Sequence, residues 1–391
     1  MKYYTNVEIW GGKILYRGIE DGRRVQSRVD YNPTLFVPSK TPTKYKTIHG
    51  EYVGPVKQGS IREARDFVKQ YEGVPSFKIY GNTRFQYCFI ADEFSGVVDW
   101  NINDLAIANI DIEVGSENGF PEPDEANEPL TAITVHMNDV FTTFGCGEYN
   151  NTREDVIYFK CYDEFDLVRK FLGWWQSNTP DAVTGWNIEA FDIPYLVNRI
   201  KKIFGENETK KLSPWNVVTP RLADVGMKKV GSYGILGVPI LDYLKLYRWY
   251  APDGRSQESY RLDNIGHVEL GERKLSYAEY GSLHNLYKED HQMFIDYNIK
   301  DVDIVRRLEE KHKLIELALT LSYDNKCNFE DVFTQVRMWD VICFNHLKAK
   351  NIVIPPIEEH EKEAAYVGAY VKDPINGFHN WVASFDVNSE Y

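Results

Sequence analysis

Apolar residues change their period along the chain, and each change predicts an element. Leu105, Ile107 and Ile110 with interleaved alanines form a short apolar run that predicts a core strand. Side chains two apart on a strand share a face, so Asp111 and Glu113 point the same way. Ile295, Ile299, Val302 and Val305 recur at helical spacing and predict a helix with Tyr297 and Asp301 on adjacent turns. Upstream, β-rich stretches at Tyr3–Trp10 and Val25–Val37 alternate with Gly and Pro turns, and a helix is predicted over Ile61–Tyr71. Downstream, Ile315, Leu317, Leu319 and the run from Trp339 to Leu347 predict further helices. Between them, Thr219 to Gly237 reads as a hairpin punctuated by Gly226, Gly231, Gly234 and Gly237.

Composition sets the frame for these elements. At 391 residues and 43% hydrophobic content the chain suits two or three folded domains. No apolar run approaches a membrane span and Met1 to Thr5 carry no hydrophobic signal segment, which predicts a cytoplasmic protein without a membrane partner. Cys88, Cys146, Cys161, Cys327 and Cys343 are scattered without metal-finger spacing, as expected of inert thiols in a reducing compartment. Repeats and low-complexity tracts are absent. A formal charge of −13 opposes a strong grip on phosphate, so any nucleic-acid binding is expected to be weak and salt-sensitive. The basic pairs Lys201–Lys202, Lys210–Lys211 and Lys228–Lys229 suit solvated surface as well as phosphate contact.

The candidate chemistry lies in the acids. Asp111, Glu113, Asp192 and Asp301 offer four carboxylates, with Tyr297 beside the last. Hard divalent cations such as Mg²⁺ or Mn²⁺ take such oxygens, and two ions about 4 Å apart suit phosphodiester cleavage. A tyrosine beside them can orient the attacking water. Any one of these acids alone is ordinary surface chemistry; the combination carries the reading.

Thr184, Gly185, Trp186, Asn187, Ile188, Glu189, Ala190, Phe191, Asp192, Ile193, Pro194 and Tyr195 together resemble the second motif of the proofreading 3′→5′ exonuclease of family B DNA polymerases. The stretch around Asp111 and Glu113, followed by Phe120, Pro121, Glu122 and Pro123, resembles the first motif, and Tyr31 to Phe36 is similar to replicative polymerases of T-even-type bacteriophages. Trp381 to Tyr391 resembles the first polymerase motif, with Glu390 where that family usually has leucine.

The resemblance implies an α/β fold. Its parts would be an RNase H-like exonuclease domain over residues 105–313, a discontinuous α+β N-terminal domain over 1–104 and 314–357, and the start of a palm over 358–391. It implies that Asp111, Glu113, Asp192 and Asp301 bind two Mg²⁺ ions, that Tyr297 positions the nucleophilic water, and that Asn187 and Phe191 bind the terminal nucleotide and unpaired bases. Asp386 would belong to an incomplete polymerase site. Expected partners are a single-stranded 3′ end, primer-template DNA and a C-terminal polymerase half, with a sliding clamp reached only through that half. The 219–237 hairpin would help part primer from template. The alternative is a non-catalytic assembly module of a split polymerase; a free-standing RNA-trimming nuclease is disfavoured by the ending around Asp386.

Overall fold

The computed structural model describes residues 1–391 except 75–76, 118, 120, 226–227, 252–256, 357–371, 384 and 386–391. Residues 1–356 make one compact unit and 357–391 a second, in which the described residues 372–383 and 385 carry neither helix nor strand.

In the first unit, strands Lys2–Trp10, Lys13–Glu20 and Arg23–Val29 form an antiparallel meander. The predicted stretch from Val25 to Val37 is broken at Asn32–Pro33, and the chain resumes as Thr34–Pro38 in a different, four-stranded sheet. The meander ends at Val29, and Pro33, which lacks the N–H a ladder needs, keeps the strand from running on into Thr34. The helix Ile61–Gln70 starts where Ser60 accepts the Glu63 N–H and donates to its carboxylate at 2.8 Å.

Two later helices, Leu314–Asn325 and Gln335–Ala349, return to these first strands. Val7 and Asn328 exchange two hydrogen bonds of 2.9 Å, the Tyr4 hydroxyl donates to the Cys327 carbonyl at 2.8 Å, and Ile352–Val353 pairs parallel to Tyr45–Thr47. Ile315 and Leu319 are buried while Leu317 faces out, as an α-helical period requires. Trp339 is 66% exposed, so the apolar run there contributes Val341 to the core and not its tryptophan.

Between these segments lies a mixed six-stranded sheet. Its order is Val156–Lys160, Val140–Gly145, Leu130–Met137, Ile107–Val114, Ala182–Gly185 and Ile240–Asp242. Leu130–Met137 runs antiparallel to both neighbours and the remaining pairs are parallel. Helices Glu164–Ser177 and Asp192–Phe204 cover one face through Phe171, Trp175, Tyr195 and Ile200. The long helix His291–His312 covers the other, with Phe294, Ile295, Ile299 and Val302 turned inward. The predicted hairpin is present as Val218–Val225 paired with Lys228–Ile235; Gly226 at its tip lies outside the described residues.

Candidate active site

The strand Ile107–Val114 builds the site by alternation. Ala108, Ile110 and Ile112 enter the core under the Glu164–Ser177 and Asp192–Phe204 helices, which leaves Asn109, Asp111 and Glu113 facing the His291–His312 helix. That helix is pinned opposite them, since Asn109 Nδ2 donates to the Val302 carbonyl at 2.8 Å and Asn298 Nδ2 donates to Asp111 Oδ2 at 2.6 Å. The next turn delivers Asp301. As a result, one carboxylate oxygen each from Asp111, Glu113 and Asp301 lie within 4.8 Å of one another.

Asp192 arrives from the first turn of its own helix. The Ala182–Gly185 strand pairs with Ile107–Val114 only as far as Asn109, and beyond that point the Ile112 N–H donates to Asp192 Oδ1 at 3.1 Å. The carboxylate thus takes the place of a lost ladder acceptor. Asp192 lies outside the tight trio but lines the same cleft of ≈ 720 Å³, as do Tyr297, Asn187 and Phe191.

The second-motif stretch folds as a turn with two special positions. A Cβ on Gly185 would run into the Ile110 carbonyl, so only glycine lets the two strands close beside Asp111. Asn187 sits at φ 65°, a left-handed conformation that asparagine tolerates, and its carbonyl accepts the Ala190 and Phe191 N–H groups at 3.2 Å. Phe191 is half-buried, packs on the core and stacks on Tyr195 at 5.7 Å while also lining the cleft. Glu189 turns away to Arg221 and Lys245, fastening hairpin to helix.

Crowded, enclosed acids resist ionisation. Burial, followed by Glu113, Asp192 and Asp301, raises Asp111 well above the usual carboxylate range. Burial and Asp301 push Glu113 up to about 8, and burial pushes Asp192 up to about 7 against the Ile112 N–H. Burial also raises Asp301, in spite of Lys274.

Lys274 is the residue sequence reasoning missed. Its Nζ donates to Asp301 Oδ2 at 2.5 Å and lies 3.4 Å from the Tyr297 hydroxyl. Burial works against its charge, but Asp301, Tyr297 and Asp111 outweigh that and keep it charged. Its loop is held by Asp263, which accepts the Lys274 N–H at 2.9 Å, and by Glu272, paired with Lys300 at 2.7 Å and with Arg307. A lone lysine in a polar segment 27 residues before Asp301 gives no periodic signal. Among the described side chains of the three basic pairs, Lys201 pairs with Glu206, Lys211 pairs with Glu208, Lys202 and Lys210 reach asparagines, and Lys229 is exposed on the hairpin. Asp386 and Phe120 lie outside the described residues.

The fold and this acid-lined cleft define a class: residues 80–265 match the sequence model of DNA polymerase family B, exonuclease domain. Over its whole length the chain is similar to family B DNA polymerases of T-even-type phages. It is 34% identical over 422 residues to the DNA-directed DNA polymerase of Escherichia phage RB69 and 32% identical over 420 residues to that of Enterobacteria phage T4. Each match covers 100% of this chain and 46% of the relative. Similarity extends to the DNA polymerase catalytic subunit of Equine herpesvirus 2, at 26% over 323 residues, 76% of this chain and 31% of that protein. The chain therefore spans about half the length of the phage relatives it matches.

Proposed function

We propose that this chain carries the proofreading 3′→5′ exonuclease of a DNA-directed DNA polymerase and removes the terminal nucleotide from single-stranded or mismatched 3′ ends. The observation that carries the reading is the convergence of Asp111, Glu113 and Asp301 within 4.8 Å, with Tyr297 and Asp192 lining the same cleft.

The donor set fits hard divalent cations. The ligands are all carboxylate oxygens, and Asp301 Oδ1 is buried without a hydrogen-bond partner among the described residues, a costly state that a cation relieves. Asp111, Glu113 and Asp301 would hold one Mg²⁺, with Asp192 and Asp111 serving a second; Mn²⁺ suits the same donors. When bound, such ions lower the pKa of water and neutralise charge on the phosphate. The remaining work falls to side chains. Tyr297, whose phenol is held neutral by burial and by Asp301, hydrogen-bonds and orients the attacking water. Lys274 supplies fixed positive charge beside the phosphate. Asn187 hydrogen-bonds the terminal nucleotide, and Phe191 presents a ring face to bases without reading their identity. Water attacks phosphorus, the bond to the penultimate 3′ oxygen breaks, and that oxygen takes the proton.

The strand order supports an RNase H-like reading of the central sheet, with residues 105–313 as the exonuclease domain and 1–104 with 314–357 as the N-terminal domain. Primer-template DNA, a polymerase half and, through it, a sliding clamp are the partners this reading assigns, in a host bacterial cytoplasm. No described helix is long and apolar enough to cross a membrane.

The test is degradation of a 5′-labelled single-stranded oligonucleotide with Mg²⁺, with EDTA, and by Asp111→Ala/Glu113→Ala. Shortening from the 3′ end that needs the metal and vanishes in the double variant is expected. Equal inertness of wild type and variant, with Mg²⁺ or Mn²⁺, would favour the assembly-module alternative.

A further inference from the structure

The carboxylate cleft has a cationic rim that the reaction described above does not use. Arg248, near the end of the Tyr243–Tyr250 helix, and Arg261, just before the Leu262–Leu270 helix, both line the cleft and both are exposed. Neither guanidinium has a carboxylate partner among the described residues. Elsewhere in this acidic protein many cations are spent on acids, as Lys274 is on Asp301 and Arg221 on Glu189 and Glu330. Arg248 instead stacks on the Tyr260 ring at 4.4 Å. Tyr260 is itself anchored, since its carbonyl accepts the Trp186 indole N–H at 3.1 Å and Trp186 is the neighbour of Asn187. An unpaired, pre-oriented guanidinium one residue contact away from the terminal-nucleotide turn is built for an anionic ligand.

Arg248 also lines a second pocket, of ≈ 440 Å³, together with Trp249, Lys245, Arg221 and Leu222 at the base of the hairpin. Trp249 is 51% exposed there. The two hollows share Arg248 as their common wall.

We infer that Arg248 and Arg261 form a phosphate clamp for the single strand. They hold the backbone upstream of the scissile bond, and the strand exits past Arg248 toward Trp249. This rests on the exonuclease reading, and both arginines are positioning residues. Phosphate contacts fix register without reading sequence, which is what an enzyme removing any nucleotide needs.

The test uses the full chain, a fluorescent 12-nucleotide single strand, and two readouts. Anisotropy in Ca²⁺ at several salt concentrations reports binding without requiring turnover, and degradation in Mg²⁺ reports KM and kcat. For Arg248→Ala and Arg261→Ala the expected result is an approximately tenfold weaker Kd and higher KM each, with kcat changed less than about twofold. The slope of log K against log salt should shrink by about 0.7 per lost contact. Arg248→Lys should restore the slope, and Lys211→Ala, a surface-pair control, should leave it unchanged. Unaltered Kd and slope in both alanine variants, with melting temperature retained, would overturn the clamp. A wild type that binds with the arginine-dependent slope yet degrades nothing would sink the exonuclease reading and leave the clamp standing.

Discussion

At the scale of residues, the site is an arrangement of like charges that one cation partly offsets. Lys274 is the side chain that makes it tolerable, bonded to Asp301 and close to Tyr297. Lys274→Met keeps the packing of the stem and removes the charge. The expected outcome is a fall in kcat/KM on single-stranded DNA of roughly 10²-fold, the size found for loss of one preorganised electrostatic group. Steady-state kinetics at saturating Mg²⁺ would check it; a change under threefold would remove Lys274 from the machinery. Asn298 is the quieter partner, orienting Asp111 at 2.6 Å. The tyrosine–aspartate pair was visible in the sequence because a helix fixes the relation of residues four apart. Lys274 and Asn298 were not, since nothing local links a loop lysine or a mid-helix amide to an acid on a distant strand.

At the scale of elements, two devices bring the acids together. The first is the 22-residue helix His291–His312, which starts on the Asp290 side chain and carries Asn298 and Asp301 to the strand at successive turns. The second is the close approach of two parallel strands at Gly185, where any side chain would strike the Ile110 carbonyl. Gly185→Ala should therefore cost about 2–4 kcal/mol, because backbone must move and not only a side chain. It should also separate Asp192 from Ile112 and lower exonuclease activity. Urea unfolding gives the first quantity; a loss below about 0.5 kcal/mol would show that the strands part at no cost. The helix and the Ile107–Val114 strand are predicted from periodicity, but their juxtaposition and the partner strand at Gly185 are not. The strand Ala182–Gly185 contributes only four residues, too few to show a period of their own.

At the scale of the whole molecule, a chain of net charge −13 gathers buried acid in one cleft. Glu113 and Asp192 have pKa values raised to about 8 and about 7 in the folded state, chiefly by burial. A raised carboxyl pKa contributes stability that is complete below the unfolded value near 4 and is lost as pH rises through the folded value. Metal-free protein should accordingly lose stability between about pH 5 and pH 8, by an amount on the order of a few kcal/mol. Mg²⁺ should restore it by binding the ionised, folded form. Thermal melts in EDTA and in Mg²⁺ across that range would show a falling curve and a flatter one. Glu113→Gln should raise the EDTA melting temperature at pH 8 and leave it unchanged at pH 5. Parallel curves with and without Mg²⁺ would remove the site as the source of the dependence.

The sequence by itself determined the core strand with its two acids, the helix with Tyr297 and Asp301, the hairpin and the returning helices. The strand and helices follow from local periods of two and of about 3.6 and the hairpin from its glycines, all written in neighbouring residues. The similarity of long motif stretches pointed to the family for the same reason, since contiguous residues are read directly. Only the tertiary structure decided which acids meet: Asp111, Glu113 and Asp301 share one small volume while Asp192 is held to one side by the Ile112 N–H. It alone revealed Lys274, and it alone placed Arg248 and Arg261 on the rim of the cleft. Those relations span tens to hundreds of residues and depend on how helix and sheet faces pack, which no local pattern encodes.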